Sequence, residues 1–393
     1  MPVSKAHKAP DPGFGIYFHW PFCRKKCPYC DFNSHVREAV DQRVWAAALL
    51  TELNYFADRI EPQKVTSIFF GGGTPSLMLP ETIAALIDGV KARFDLLSDA
   101  EISLEANPTS AEGAHFEGYR AAGVNRLSMG VQSLQDEALA FLGREHSVQE
   151  ALKTIEMARG IFPNISFDLI YALPGQTVED WIADLKAALA LAGDHISLYQ
   201  LTIEPNTGFA GSLRRGEFTL PKDEIAEEMY EVTQKICADA GLPSYEISNH
   251  ARPGAECRHN LTYWRYGAYL GIGPGAHGRL PHPKGRLATE QIKKPEIWLK
   301  SVQDKGHGSL LETEVFDPIE RAEELLLMGL RLHEGVWFSN FEKLVGRPFS
   351  RIVSDDNLNR LIEVGFLTKD QDRLLATENG RFVLNSVLGH LLS

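Results

Sequence analysis

The chain has 393 residues, 44% hydrophobic and 23% charged, which are ordinary globular values. A chain of this length can bury about three quarters of its unfolded surface, so disorder is excluded as its general state. Its 40 basic and 52 acidic residues give a net charge of −12, which opposes general nucleic-acid binding because phosphate neutralisation needs Lys and Arg in excess.

No apolar run reaches the length of a membrane span. The opening MPVSKAHKAPDPG lacks the apolar centre of a secretory signal, so a cytoplasmic location is expected. Five cysteines, an odd number in a long chain, do not resemble a disulfide framework.

After an extension over 1–14, short apolar runs at 15–20, 64–70, 101–106, 126–130, 165–171 and 195–201 read as strands. Helical spacing lies between them: Ala46, Leu49, Leu50 and Leu53, then Ile83, Leu86, Ile87 and Val90, then Leu185, Leu189 and Leu191. Strands alternating with helices imply an α/β fold with a parallel sheet over 15–205. The runs end in unusual polar sequences: GGGTPS, EANP, GVQS, LPGQT and TIEPNT. Barrels draw reactive groups from several strand ends, whereas a doubly wound sheet uses one switch point. The expectation is a partial (β/α)6 barrel.

Residues 206–305 are rich in Gly, Pro and aromatics and show no clear period. Within them GPGAHG at 273–278 is a literal GxGxxG, but no periodic helix follows, so it is not a dinucleotide fingerprint. Residues 306–393 read as helices over 322–332, 338–345 and 356–364, a hairpin in FLTKDQDRLLAT, and a last helix over 380–392. That pattern suggests a mostly helical, winged-helix-like domain. Its 9 basic and 14 acidic residues after Ser309 oppose DNA binding.

Cys23, Cys27 and Cys30 form C-x3-C-x2-C within HWPFCRKKCPYCDF. Pro28 disfavours a helix there, so a loop is expected, free to bring three thiolates to one metal centre. Arg24, Lys25 and Lys26 should favour the thiolate forms. Zinc would need a fourth ligand, which His19 or His35 could supply. A 4Fe-4S cluster held by three cysteines would leave one iron open.

The cysteine triplet directly after the first strand, with Tyr29 before the last cysteine, and GGGTP at 71–75 after the second strand together resemble the radical S-adenosylmethionine (SAM) superfamily. Within it the sequence is similar, over nearly its whole length, to the group holding the oxygen-independent coproporphyrinogen III oxidases and the HemW-type heme chaperones. The resemblance implies a cluster on Cys23, Cys27 and Cys30 whose open iron takes the methionine end of SAM. A reduced cluster then splits the sulfonium to a deoxyadenosyl radical. The implied SAM site comprises Tyr17, Tyr29, Gly72, Gly73, Thr74, Glu105, Gln132, Arg144 and Asp168. Gly72 and Gly73 would let the backbone approach SAM closely. Tyr17 could instead be core packing, and the polar members could instead cap the helices that follow their strands.

HNLTYW at 259–264 matches a motif linked to heme handling in the chaperone group. His250, His259 and His277 are candidate heme-iron ligands, with His259 foremost. Arg252, Arg258, Arg265 and Arg279 could meet heme propionates, and Tyr263, Trp264, Tyr266 and Tyr269 could line a flat slot. The oxidase type carries a fourth cysteine two residues after the triplet, where this chain has Phe32, and a longer arm before the first strand. The expected function is therefore heme binding and delivery to apo-hemoproteins, with a small flavin or iron–sulfur protein as electron donor. The alternative is oxidative decarboxylation of coproporphyrinogen III.

Overall fold

The computed structural model describes residues 8–392. Six strands follow one another in parallel: β1 (Phe14–Trp20), β2 (Lys64–Gly72), β3 (Asp95–Ala106), β4 (Arg126–Gln132), β5 (Asn164–Tyr171) and β6 (His195–Gln200). Each pairs with its successor. Burial on both faces explains the apolar runs: β1 buries every residue except the half-exposed Tyr17. Consecutive order is that of a barrel, since a doubly wound sheet reverses direction at its switch point.

The barrel stays open. β6 pairs with the antiparallel β7 (Asn249–Ala251), and the free edge of β1 takes the parallel β8 (Ala268–Ile272). Beyond β8 come the antiparallel β9 (His277–His282), β10 (Gly285–Gln291) and β11 (Ser309–Phe316), completing an eleven-stranded sheet among the described residues.

Helices α1 (Gln42–Ala57), α2 (Pro80–Arg93), α3 (Val148–Ile161) and α4 (Val178–Leu191) cover the parallel strands. Their starts are chemically marked. Asp41 accepts from the Arg43 and Val44 N–H groups, and Ser147/Glu150 and Thr177/Asp180 form capping boxes. In α2 the buried stripe includes Ile83, Leu86, Ile87 and Val90, the expected residues. Each fully buried Leu or Ile contributes about 1.5–3 kcal/mol relative to exposure.

Residues 206–305 depart from expectation, because they are regular. They hold α5 (Asp223–Asp239), α6 (Arg258–Trp264), α7 (Pro295–Lys305) and four of the added strands. The buried stripe of α5 is Ala226, Met229, Thr233 and Cys237, correctly spaced but too small and polar to stand out by hydropathy. GPGAHG leads into strand β9, so no helix follows it.

The buried face of α1 also carries Glu52. Its carboxylate accepts from the N–H groups of Gly273 at 2.8 Å and Gly308 at 2.7 Å and from Trp298 Nε1 at 3.0 Å. Burial pushes it up to about 7, against the pull of those donors. One acidic side chain thus pins α1 to the added strands.

At the C-terminal end a second apolar core surrounds Leu326, Phe341, Leu361 and Leu388. Its helices are α8 (Pro318–Gly329), Phe338–Val345 and Asp355–Glu363, with an antiparallel hairpin of Leu367–Lys369 and Arg373–Ala376. The single last helix expected is two, Glu378–Phe382 and Leu384–Leu391, because Val383 (φ −116°, ψ 28°) leaves helical geometry.

Candidate functional site

The three cysteines lie on a loop whose neck is closed by the parallel pairing of Phe22–Cys23 with His35–Val36. They line one cavity at the C-terminal ends of the parallel strands. Thr74 Oγ1 donates to Cys23 Sγ at 3.4 Å, and Arg144 Nη1 to Cys27 Sγ at 3.4 Å. Cys30 Sγ sits 3.8 Å from Ser34 Oγ. Burial pushes the Cys23 thiol up, against the hydroxyl of Thr74 and the charge of Lys26. Of the cations expected to favour the thiolates, Lys26 acts in that direction on Cys23, but desolvation outweighs it.

The glycines of GGGTP have a nearer cause than cofactor approach. Gly73 N–H donates to Trp20 O at 2.7 Å and Thr74 N–H to Phe22 O at 2.9 Å, so this turn packs on the cysteine loop. A Cβ on Gly73 would stand 2.7 Å from Phe22 O, and one on Gly72 (φ +117°) would stand 2.7 Å from the His19 ring. Both glycines also line the cavity.

Every residue of the expected SAM set except Tyr17 lines this cavity. Glu105, at the end of β3, accepts from the Gly72 N–H at 3.2 Å. Burial and then the neighbouring Asp168 push it up to about 8. Asp168 on β5 is pushed up to about 6 by burial, opposed by the Ser197 and Ser128 hydroxyls and by Arg144 and Arg126. Gln132 ends β4 with φ +70°, in the left-handed region where strain concentrates at functional sites. Arg144 donates to Asn107 Oδ1 at 2.5 Å, Gly130 O at 2.8 Å and Tyr29 Oη at 3.4 Å. Its Nε is buried with no hydrogen-bond partner among the described residues.

Sequence reasoning missed Asn107 and Glu112. Asn107 links Arg144 to the buried Glu112, which accepts from the Asn107 N–H at 2.7 Å and from the Ser76 hydroxyl. Asn107 stands inside EANP, where attention to the carboxylate hid the amide.

A second cavity, of about 460 Å3, adjoins the first and shares Phe32, Gly72 and Glu105 with it. Its walls include Tyr17, Tyr263, Trp264, Tyr269, His277 and Met328. Its size falls within the roughly 300–1,000 Å3 of small-molecule sites.

The heme-ligand candidates do not converge here. His259 is 1% exposed, with Nδ1 2.8 Å from Ser67 Oγ and Nε2 2.6 Å from Tyr263 Oη. Burial pushes it down to about 3. Both ring nitrogens are engaged, so His259 orients Tyr263 and has no lone pair left for iron. His250 is fully buried on β7, at the sheet edge remote from β1 and β8. Only His277 of the three lines the aromatic cavity. Tyr266, expected on the slot, is instead buried in the C-terminal core. The four arginines are already paired, with Asp194, Asp99, Glu334 and Glu324 respectively.

Residues 17–188 match the radical SAM superfamily, and residues 316–383 match the HemN C-terminal domain. The chain is 40% identical to the bovine (Bos taurus) radical S-adenosyl methionine domain-containing protein 1, mitochondrial, over 98% of this chain and 89% of that protein. It is 39% identical to heme chaperone HemW of Escherichia coli, over 96% of this chain and 97% of that one. This chain belongs to the radical SAM superfamily. Coproporphyrinogen III oxidase (HemN) from Escherichia coli, at 23% identity, has the same fold, with a TM-score of 0.80 over 98% of this chain and 91% of that one.

The donor set fits the cofactors of a radical SAM protein better than zinc. Among the described residues no three His, Cys, Asp or Glu side chains converge as ligands of a single ion. Both nitrogens of His19 are engaged, by Tyr17 Oη at 3.0 Å and Asn33 O at 2.9 Å, and His35 Nε2 meets Asn33 Oδ1 at 3.0 Å. A closed zinc site therefore lacks its fourth ligand. Three thiols spread around a cavity suit separate corners of one iron–sulfur cube. The cavity also carries two carboxyls and a guanidinium with one unused N–H, complementary to an ammonium and a carboxylate.

Proposed function

We propose that this protein is a heme chaperone that carries a 4Fe-4S cluster and SAM in the cysteine cavity and holds heme in the aromatic cavity beside it. The observation that carries the proposal is the shared wall: an aromatic-lined space lies against the polar one, with Gly72, Glu105 and Phe32 lining both. Relatives named heme chaperone HemW support it. So does Phe32, which stands where the oxidase type has a fourth cysteine.

Cys23, Cys27 and Cys30 would hold the cluster; together with SAM it supplies one-electron reductive chemistry when bound. Glu105 would give up a proton and accept the SAM ammonium, with Asp168 beside it. Arg144 would take the methionine carboxylate through its free Nε. Tyr29 would lie against the adenine and Thr74 would hold the Cys23 sulfur. Gln132 would hydrogen-bond SAM from the end of β4.

Four segments are proposed to divide the work. An extension (1–14) precedes the SAM-binding barrel (15–205), a heme-proximal region (206–305) and a C-terminal domain (306–393). The partners proposed are apo-hemoproteins and a small flavin or iron–sulfur electron donor, in the cytoplasm. No helix among the described residues is long and apolar enough to cross a membrane.

The test is anaerobic titration with hemin followed by transfer to an apo-hemoprotein, alongside a coproporphyrinogen turnover assay. Saturable heme uptake with transfer is expected. Turnover of coproporphyrinogen without heme affinity overturns the proposal.

A further inference from the structure

Resting on the chaperone reading, we propose that His277 and Met328 are the two protein ligands of the heme iron. They come from separate parts of the chain. His277 lies on β9 and Met328 on α8, and both line the aromatic cavity.

An ion pair brings them together. Arg279 donates through Nε at 2.9 Å and Nη2 at 2.7 Å to Glu324 Oε1, with both side chains less than one fifth exposed. His277 is two residues before Arg279 on β9, hence on the same face of the strand. Met328 is four residues after Glu324 on α8, hence on the same face of the helix. Clamping Arg279 to Glu324 therefore sets His277 and Met328 into one space.

Two other candidates on the cavity wall are already in use. His19 lines the same cavity, but Tyr17 and Asn33 occupy both its nitrogens. Tyr263 is held by His259 at 2.6 Å. The His277 ring forms no hydrogen bond among the described residues and is exposed on the cavity wall, so its ring nitrogens stay available to a metal. A thioether is an established partner of imidazole on heme iron and favours the reduced metal. Because Met328 belongs to the C-terminal part of the chain, movement of α8 would free one iron position and ease transfer to a recipient.

The experiment uses the full chain with its cluster reconstituted, titrated with hemin and examined by magnetic circular dichroism and resonance Raman spectroscopy. The wild type is expected to give six-coordinate, low-spin heme with a thioether signature. Met328→Leu conserves volume and should remove that signature, leaving five-coordinate heme. His277→Ala should weaken hemin binding at least tenfold, with imidazole restoring the low-spin spectrum. Iron-free protoporphyrin should bind wild type and variants alike, because the pair acts through iron. Variants that keep the wild-type spectrum and affinity overturn the ligand assignment, as does an equal loss of iron-free porphyrin. Absence of any heme uptake by the wild type is a different result: it defeats the chaperone reading itself.

Discussion

The two cavities share a wall and are built by opposite means. The cysteine cavity draws its side chains from the ends of β2 to β5 and from the turns and loops that follow the strands, each placed by its own βα unit. The aromatic cavity takes Tyr17 from β1, Tyr263 and Trp264 from α6, Tyr269 from β8, His277 from β9 and Met328 from α8. Redox chemistry needs fixed groups at fixed offsets, and strand ends supply them. A flat cargo needs a shape, and shape comes from packing distant segments. The difference implies that the two sites can be broken separately.

The largest effect tests that separation. Replacing Cys23, Cys27 and Cys30 together by Ser should abolish incorporation of iron and acid-labile sulfide while hemin affinity stays within about twofold. Loss of hemin binding in the triple variant would show one site instead of two.

A smaller effect concerns charge in the polar cavity. Glu105→Gln should weaken SAM binding about 10- to 100-fold, the worth of a hydrogen bond to a charged group at about 1.5–3 kcal/mol. Wild-type affinity should rise with pH towards about 8, since the carboxyl must lose its proton before it accepts the ammonium. Calorimetry in buffers of different ionisation enthalpy should record that proton release, and Glu105→Gln should remove it. A pH-independent affinity in the wild type would contradict the assignment.

The smallest effect lies in the scaffold joining the two regions. In Glu52→Gln an amide N–H faces the Gly273 N–H in place of Oε2, costing about 1–3 kcal/mol in denaturant unfolding. The carboxyl is raised in the folded protein from an ordinary 4.5 to about 7, so the native state binds the extra proton. Its stabilising linkage is complete below about pH 4.5 and is lost as pH rises through 7. The variant should lose that part of the slope of stability against pH. An unchanged slope would mean that Glu52 is ionised throughout.

Legibility divides along the same line. GGGTP, EANP and GVQS are contiguous, so their residue types and their place after apolar runs were readable. The purpose of the glycines was not, because Gly73 is required by the approach of Phe22 O, fifty-one residues earlier in the chain. His259 stood out within HNLTYW, yet its ring is spent on Ser67 and Tyr263. His277 looked weaker because it sits in a Gly- and Pro-rich stretch whose strand is defined only by pairing with β8 and β10.

The sequence by itself determined the alternation of strand and helix, the polar strand ends and the three thiols on a proline-containing loop. These depend on local periodicity, turn chemistry and spacing. Tertiary structure alone decided that the sheet extends past β1 through four more strands, that Glu52 pins it, and that an ion pair between Arg279 and Glu324 brings an imidazole and a thioether to one cavity. The reason is physical: hydrogen bonding between distant strands and the desolvation of buried charges depend on which segments meet in space, and a linear pattern does not carry that information.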